Sequence, residues 1–490
     1  MNFRIRTLMK ITGLFLIISG LAMIPSFLCA LWFGEETENA IFGTVGFFSA
    51  AVGIPMLKAI SPSKKSVRAR DGYLTVVFCL LVCTFIGTLP YLLSGQVSGF
   101  ADALFESTAG YTTTGATISS IGFSHSLLLW KATTHWLGGL GILVFIISVL
   151  PSFGSNGQRI ANIEMQGFGL AKMSLQIWKL SKITGIVYAI LTAVTFFFLR
   201  VGNSMGNFAA LLSSMDIVST AGMSLRDNDI GYYNSLYIEL IVSLFTILAS
   251  INFILYIYII KRNYSDLQKN VELRVYLIII AAATLIVSIA LKTSGTFSTF
   301  ASALRHGFFQ VTSFATTSGF TIDDYSRWPA VCLAVFFILM FIGGCSASTA
   351  GSIKVIRVIV FFKLIARGFY KRLHPRSIRT ITVGEATISA PMVSTVATFI
   401  MIYFVTFMLS ALVISLQGLD METTLSAAAS LLSNSGIAFG DIGSSGYYGM
   451  FSPAMKVFMS LVMVTGRLEL YSIFLLFFPS FWNPDRSQIK

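Results

Sequence analysis

The chain is poor in charge. Only 11% of its 490 residues are Asp, Glu, Lys or Arg, against roughly 25% in a soluble globular domain. That scarcity excludes an ordinary wetted surface. Metal-ligating residues are also few: His125, His135, His306 and His374 have no metal spacing. His135 and His306 read as satisfied packing residues rather than proton relays. Cys29, Cys79, Cys83, Cys332 and Cys345 all fall in apolar stretches, which favours buried free thiols over a disulfide framework. No GK[ST] follows the one glycine-dense loop, so a phosphate-binding loop is excluded.

Apolar sequence fills the space that charge leaves. Hydrophobic residues make up 55% of the chain and mean hydropathy is +0.79. Apolar runs of about 20 residues, the span of a bilayer core, recur throughout. The N-terminal run to Phe33 is too long for a secretory signal and reads as a retained first helix. Of the 34 Lys and Arg behind the net charge of +13, 26 fall in the termini and in alternate loops: Met1–Lys10, Lys58–Arg70, Pro151–Lys182, Lys261–Arg274, Lys354–Arg379 and the tail; seven sit near the opposite helix ends and Arg467 inside a span. This is the positive-inside pattern, which puts both termini in the cytoplasm and argues against nucleic acid as a partner.

Two spans come first, Ile11–Phe33 and Ile41–Ile60. A unit then recurs four times: a span, a short amphipathic segment, a polar glycine turn and a second span. Unit one is Leu74–Leu93, Ala101–Thr113, Gly115 and Leu127–Leu150. Unit two is Ile183–Leu199, Asn207–Thr220, Gly222 and Leu236–Ile260. Unit three is Val275–Leu291, Thr299–Thr316, Gly319 and Pro329–Ala366 with an interruption. Unit four is Val393–Leu416, Met421–Asn434, Gly436 and Pro453–Pro479. The expected fold is an all-α polytopic membrane protein with ten transmembrane helices and four re-entrant half-helices in pseudo-fourfold symmetry. Its segments are 1–72, 73–150, 151–262, 263–380 and 381–490. Extracellular surface loops are the alternative for the short segments, but their apolar faces would then be wet.

The turns at Gly115, Gly222, Gly319 and Gly436 are spaced by 107, 97 and 117 residues. Each joins glycine to small polar neighbours: Thr113 and Thr114, Thr220 and Ala221, Thr317 and Ser318, Asn434 and Ser435. A dehydrated monovalent cation needs oxygen ligands of modest field strength, which backbone carbonyls supply. Glycine reaches the backbone conformations that aim them, and the preceding half-helix directs its negative end at the same point. Close helix packing in lipid is the bland alternative; it suits Gly138, Gly139 and Gly141 better than four turns at one topological position.

These motifs resemble the Trk/Ktr/HKT superfamily of potassium transporters, in particular its TrkH/TrkG-type membrane subunit. The carrying stretches are TTTGAT (112–117), STAGMS (219–224), ATTSGFT (315–321), SNSGIAFGDIG (433–443), GGCSASTAGSIKVIR (343–357) and GRLELY (466–471). The resemblance implies K⁺ as the transported ion, no organic cofactor, a homodimer, a cytosolic TrkA-type subunit that binds nucleotides and gates the pore, and a bacterial inner membrane. In the family a glycine in all four turns accompanies K⁺ preference, and a serine in the first accompanies Na⁺ permeation. Here the first is Gly115.

Two features are gate candidates. Gly343, Gly344, Ser346 and Gly351 lie in a small-residue interruption of the third unit's second span. It is read as a hinge or plug under the turns, with an inert kink as the alternative. Arg467 lies inside a span, where a charge is costly and usually faces a water path or a partner; Glu469 falls on another helix face. Asp227, Asp229, Asp323, Asp324 and Asp441 follow the turns and either concentrate cations or form a solvated face. The run Lys363–Arg379 suits either a cytosolic partner or anionic lipid. A Na⁺- or H⁺-coupled symporter would need a buried mid-membrane carboxylate, and none stands out away from helix ends. A membrane enzyme such as a lipid-linked sugar polymerase would need a large outer catalytic loop, which the short loops exclude.

Overall fold

A computed structural model describes residues 5–59, 69–118, 122–149, 177–202, 205–223, 225–226, 229–377, 380–384 and 386–482. Most of the basic loops Lys58–Arg70 and Pro151–Lys182, the tail beyond 482 and Asp227 lie outside these residues. Among the described residues six helices are long and apolar enough to cross a membrane: Leu8–Phe33, Glu36–Ala59, Asp71–Leu93, Ser181–Val201, Val271–Thr293 and Ala390–Gln417. At 1.5 Å per residue each reaches about 30 Å. Their outward faces carry large apolar side chains, Phe47 at 69% exposure and Met401 at 69% among them. Patches of that kind suit lipid rather than water.

The first of these runs is two helices, Ile5–Ala22 and Ile24–Phe33, with Pro25 in the opening turn of the second. Gly34, left-handed at φ 72°, ends it. Glu35 then accepts backbone N–H groups of His125 (2.7 Å) and Ser126 (3.0 Å), so it caps the helix His125–Val149 from a distant part of the chain. Burial alone would raise the Glu35 carboxyl; the hydrogen bonds from Ser126 and His125 outweigh it and hold the group below its usual range.

The second spans expected after turns two, three and four are each interrupted. Leu236–Ala249 and Leu255–Ile260 are separated by a kink at Ser250–Ile254. Ala330–Phe341 and Val355–Leu373 flank the small-residue loop. Pro453–Arg467 and the following Tyr471–Phe477 meet at 111°. The last bend contains two consecutive left-handed non-glycine residues, Glu469 and Leu470. Leu468, Glu469 and Leu470 themselves include neither glycine nor proline, although Gly466 lies in the last turn before them. The β-structure among the described residues is a hairpin pairing Ile381–Val383 with Ala386–Ile388 and two isolated bridges, Thr117 with Tyr447 and Ile342 with Ile353.

The short segments form helices close to their expected bounds: Phe100–Tyr111, Asn207–Ser219, Phe300–Ala315 and Met421–Ser433. Polar contacts set how they lie. Lys456 reaches Asp102 of the first (2.6 Å), His135 reaches Asp216 of the second (2.7 Å), and Glu239 takes Arg305 of the third through two bonds (2.6 and 2.7 Å). In each case the helix after one turn grips the half-helix before the next, counting from turn four back to turn one. The seam between turns three and four is aromatic instead. Phe439 packs on Phe314 and Tyr325, and the Tyr325 hydroxyl donates to Ala438 O (2.7 Å). Asp420 caps the fourth half-helix through the Thr423 N–H. Glu106 lies mid-helix and pairs with Lys131 (2.8 Å).

Candidate functional site

All four half-helices end in the same way. The N–H groups of Thr114, Ala221, Ser318 and Ser435 reach back to the carbonyls of Ala109, Asp216, Ser313 and Ser430, at 2.9 to 3.0 Å. Each of these bonds spans six residues and closes a Schellman cap. The residue just before each donor is left-handed: Thr113 (φ 53°), Thr220 (54°), Thr317 (55°) and Asn434 (56°). Asparagine tolerates that region, whereas a β-branched threonine does so only under constraint. Three threonines held there store roughly 1–3 kcal/mol each.

The cap turns the chain so that the glycine two residues on meets the next turn. A Cβ on Gly115 would strike the carbonyl of Gly222, and one on Gly222 the carbonyl of Ser318. One on Gly319 would strike Ser435, and one on Gly436 would strike Thr114. The sequence of contacts returns to its start. The turns therefore form a closed ring in chain order, at backbone-to-backbone distance, which only hydrogen in place of Cβ permits. Gly115, Gly319 and Gly436 have φ of 74°, 75° and 80°. Gly222 is not in that region, so the expectation that every turn needs glycine for its dihedral fails there; Gly222 is required by space alone.

All twelve candidate residues lie in this ring, and apart from Gly115 they are buried. Turns one and four are braced to each other. Asn434 Nδ2 donates to Thr114 Oγ1 (3.0 Å), which also bonds Thr112 Oγ1 (2.7 Å). The neighbouring helices approach through glycine: Gly138 faces the Tyr111 carbonyl, Gly139 faces Ser219, and Gly466 faces the Leu432 carbonyl. The packing reading thus holds for Gly138 and Gly139; at Gly141 an added Cβ would meet nothing within 4 Å among the described residues.

The interrupted loop lies against the ring. Gly351 N–H donates to Thr317 Oγ1 (2.8 Å), and a Cβ on Gly351 would strike Ser433 O. Cys345 N–H donates to Ser250 O (2.9 Å), and Thr349 Oγ1 to Ala249 O (3.1 Å). The kink at Ser250 and the loop therefore satisfy one another's free backbone groups, as a buried irregular segment requires. Gly343 packs on the Gly351 carbonyl and Gly344 on that of Ser250. Ser346 donates through both N–H (2.7 Å) and Oγ (2.9 Å) to Glu272 Oε1, which also takes the Ile356 N–H (3.2 Å).

Arg467 is 5% exposed and makes no ion pair among the described residues. Its Nη1 donates to Thr349 O in the loop (2.9 Å) and its Nη2 to Gly138 O (3.1 Å), bridging the loop to the helix after turn one. Glu469 pairs instead with Arg357 (2.6 Å), just past the loop. Among the described residues Arg467 is thus held by backbone carbonyls rather than by a helix–helix ion pair.

On the other face of the ring is a cavity of about 620 Å³, lined by Gly115, Gly222, Gly319 and Gly436 together with Lys131, Arg226 and Asp229. Of the five aspartates following the turns, Asp229 reaches this cavity. Asp323 lies 3.6 Å from His306, and Asp324 pairs with Arg327 (3.1 Å).

Sequence reading missed the buried carboxylates. Glu106, Asp216, Asp229, Glu239 and Glu272 are all buried, and Glu106 and Asp216 sit within half-helices. Glu106, in the middle of its helix, departs from the expectation that none lies away from helix ends, whereas Asp216 lies in the last turn of its own. His135 is fully buried, as expected of a satisfied packing residue, and the group that satisfies it is the carboxylate of Asp216. The available signal was Lys131 and His135, one helical turn apart in an apolar span, each needing a partner.

The model of the TrkH family, described as cation transport protein, matches residues 38–483. The chain belongs to the TrkH family. It is similar to the Trk system potassium uptake protein TrkH of Halomonas elongata, with 32% identity over 98% of this chain and 99% of that protein. Similarity to TrkG of Escherichia coli K12 is 30%, over 98% and 99%. Its fold matches the crystal structure of the potassium transporter TrkH from Vibrio parahaemolyticus with a TM-score of 0.89, 28% identity, and 98% and 100% of the two chains covered. This is a family of transport proteins rather than enzymes.

Ring closure predicts a graded glycine series. Gly418 and Gly436 share a left-handed φ, but only Gly436 faces another backbone. Gly418→Ala should cost about 1 kcal/mol for the dihedral alone. Gly436→Ala should cost well over that, seen as a much larger drop in thermal midpoint of the detergent-solubilised protein. Equal drops would mean that the turns do not touch.

Proposed function

We propose that this chain is the pore-forming subunit of a potassium uptake system, with the twelve ring residues as its selectivity filter. The observation that carries this reading is the closed ring of four glycine turns, each at the negative end of a half-helix. Four converging helix ends favour a cation without a fixed charge that would trap it. The naming of the similar proteins as potassium uptake proteins supports K⁺ as the ion. Membrane potential drives entry, each charge gaining about 2.3 kcal/mol per 100 mV.

In this reading ten spans and four re-entrant half-helices sit in the bacterial inner membrane with both termini cytoplasmic. The two N-terminal helices are 1–72 and the four pore units 73–150, 151–262, 263–380 and 381–490. The chain works as a homodimer with a cytosolic TrkA-type subunit that binds nucleotides. That subunit moves the loop bearing Gly343, Gly344, Ser346 and Gly351, and with it Arg467, whose charge under the ring opposes cation passage. One observation favours a second reading, Na⁺- or H⁺-coupled symport: Glu106 and Asp216 are the buried carboxylates that coupling would use.

Expression with its cognate partner should restore growth of a K⁺-uptake-deficient bacterium at low K⁺. Absence of rescue by membrane-inserted protein overturns the pore reading, and rescue that requires a Na⁺ or pH gradient favours symport. Arg467→Ala should raise Rb⁺ flux roughly tenfold in partner-free liposomes, the effect of about 1.4 kcal/mol off the barrier; unchanged flux removes Arg467 from the gate.

Asp229 gives a pH test. Burial pushes its carboxyl up to about 8, against hydrogen bonds from Thr321 and Ile230. It is neutral below that value and gains its negative charge above it, raising the local cation concentration in the cavity. The KM for Rb⁺ should therefore fall as external pH rises from about 7 to 9, and Asp229→Asn should flatten the profile.

A further inference from the structure

The second turn is the odd member of the ring. Ala221 leaves it without the hydroxyl that Thr114, Ser318 and Ser435 carry at the same position, and Gly222 lacks the left-handed φ of the other three glycines. Thr220 Oγ1 donates only to Ser219 O beside it (2.7 Å), whereas Thr114 and Asn434 join turns one and four, and Thr317 holds the loop.

The same quadrant alone carries a carboxylate at the base of its cap. The residue accepting the six-residue bond is Ala109, Asp216, Ser313 or Ser430 in the four turns. Asp216 Oδ1 lies 2.7 Å from His135 Nδ1, and both side chains are 0% exposed. Asp216 O holds both the Ala221 N–H (2.9 Å) and Ser219 Oγ (3.2 Å). A lateral pull on this one residue therefore sets where the second turn's backbone sits.

Resting on the potassium-pore reading, we propose that His135 and Asp216 are a positioning pair. Together they replace the missing hydroxyl brace of turn two and set its share of the ion selectivity. Lys131, one helical turn before His135, does the parallel task for turn one. It holds Glu106, which accepts Thr117 Oγ1 (2.6 Å) and the Ile118 N–H (2.8 Å) just beyond Gly115. One helix thus carries the braces of two adjacent quadrants.

The test is Rb⁺ against Na⁺ uptake by the full-length protein in liposomes, with folded protein quantified for each variant. Asp216→Asn and His135→Gln should each change the Rb⁺/Na⁺ flux ratio about tenfold, the effect of one mispaired buried hydrogen bond. The double variant should show the same change rather than the product of the two. Adding Ala221→Ser to Asp216→Asn should return the ratio toward wild type, an outcome that a merely structural pair would not give. If Asp216→Asn does not fold, His135→Gln carries the comparison, and misfolding of both overturns the proposal. An unchanged ratio, with maximal flux tracking folded protein, also overturns it while leaving the potassium reading intact. A wild-type protein that moves neither ion overturns both.

Discussion

The missing Cβ at four positions is the constraint on which the rest of the molecule depends. Turns that meet backbone to backbone leave no room for side chains between them, so the chain must bend sharply before each glycine. The bend is made by a left-handed residue, and in three quadrants that residue is threonine, which resists it. Strain of this kind persists only where surrounding structure over-determines it. Here that role falls to the six-residue hydrogen bond of each cap and to helices that come in close through Gly138, Gly139 and Gly466.

Charge is then used sparingly and in pairs. Asp102 with Lys456 and Glu239 with Arg305 each tie a half-helix to the helix arriving from the previous turn, and the buried His135–Asp216 hydrogen bond does the same between them. A buried pair adds little net stability, because desolvation offsets much of the attraction, but removing one partner is severe. Such pairs specify which helix face meets which. The seam between turns three and four, closed by Phe314, Tyr325 and Phe439, has no such charge pair among the described residues. That is also where the loop enters.

Periodicity made the half-helices legible, and their bounds match within two residues, because apolar spacing and glycine punctuation are local signals. The spans were less so. The break after Ala249 arises from bonds between Ser250 and a loop about a hundred residues later, and Leu468, Glu469 and Leu470 at the last bend include neither glycine nor proline. The ring's membership could be read from four aligned glycines, but not Gly222's different dihedral, which depends on its neighbours across the ring. Buried carboxylates escaped notice because Glu106 and Asp216 look like any acidic residue on a short polar helix. Their partners, Lys131 and His135, are a helix away.

One oxygen of Glu272 accepts hydrogen bonds from Ser346 near the start of the loop and from Ile356 just after its end. Both ends are thus moored at a single point on a different helix. Shifting either end alone breaks part of a shared three-donor shell and leaves a buried carboxylate short of donors. The segment is consequently biased against creeping aside residue by residue. Its two ends are tied into one unit, so a perturbation at that mooring reaches both of them together.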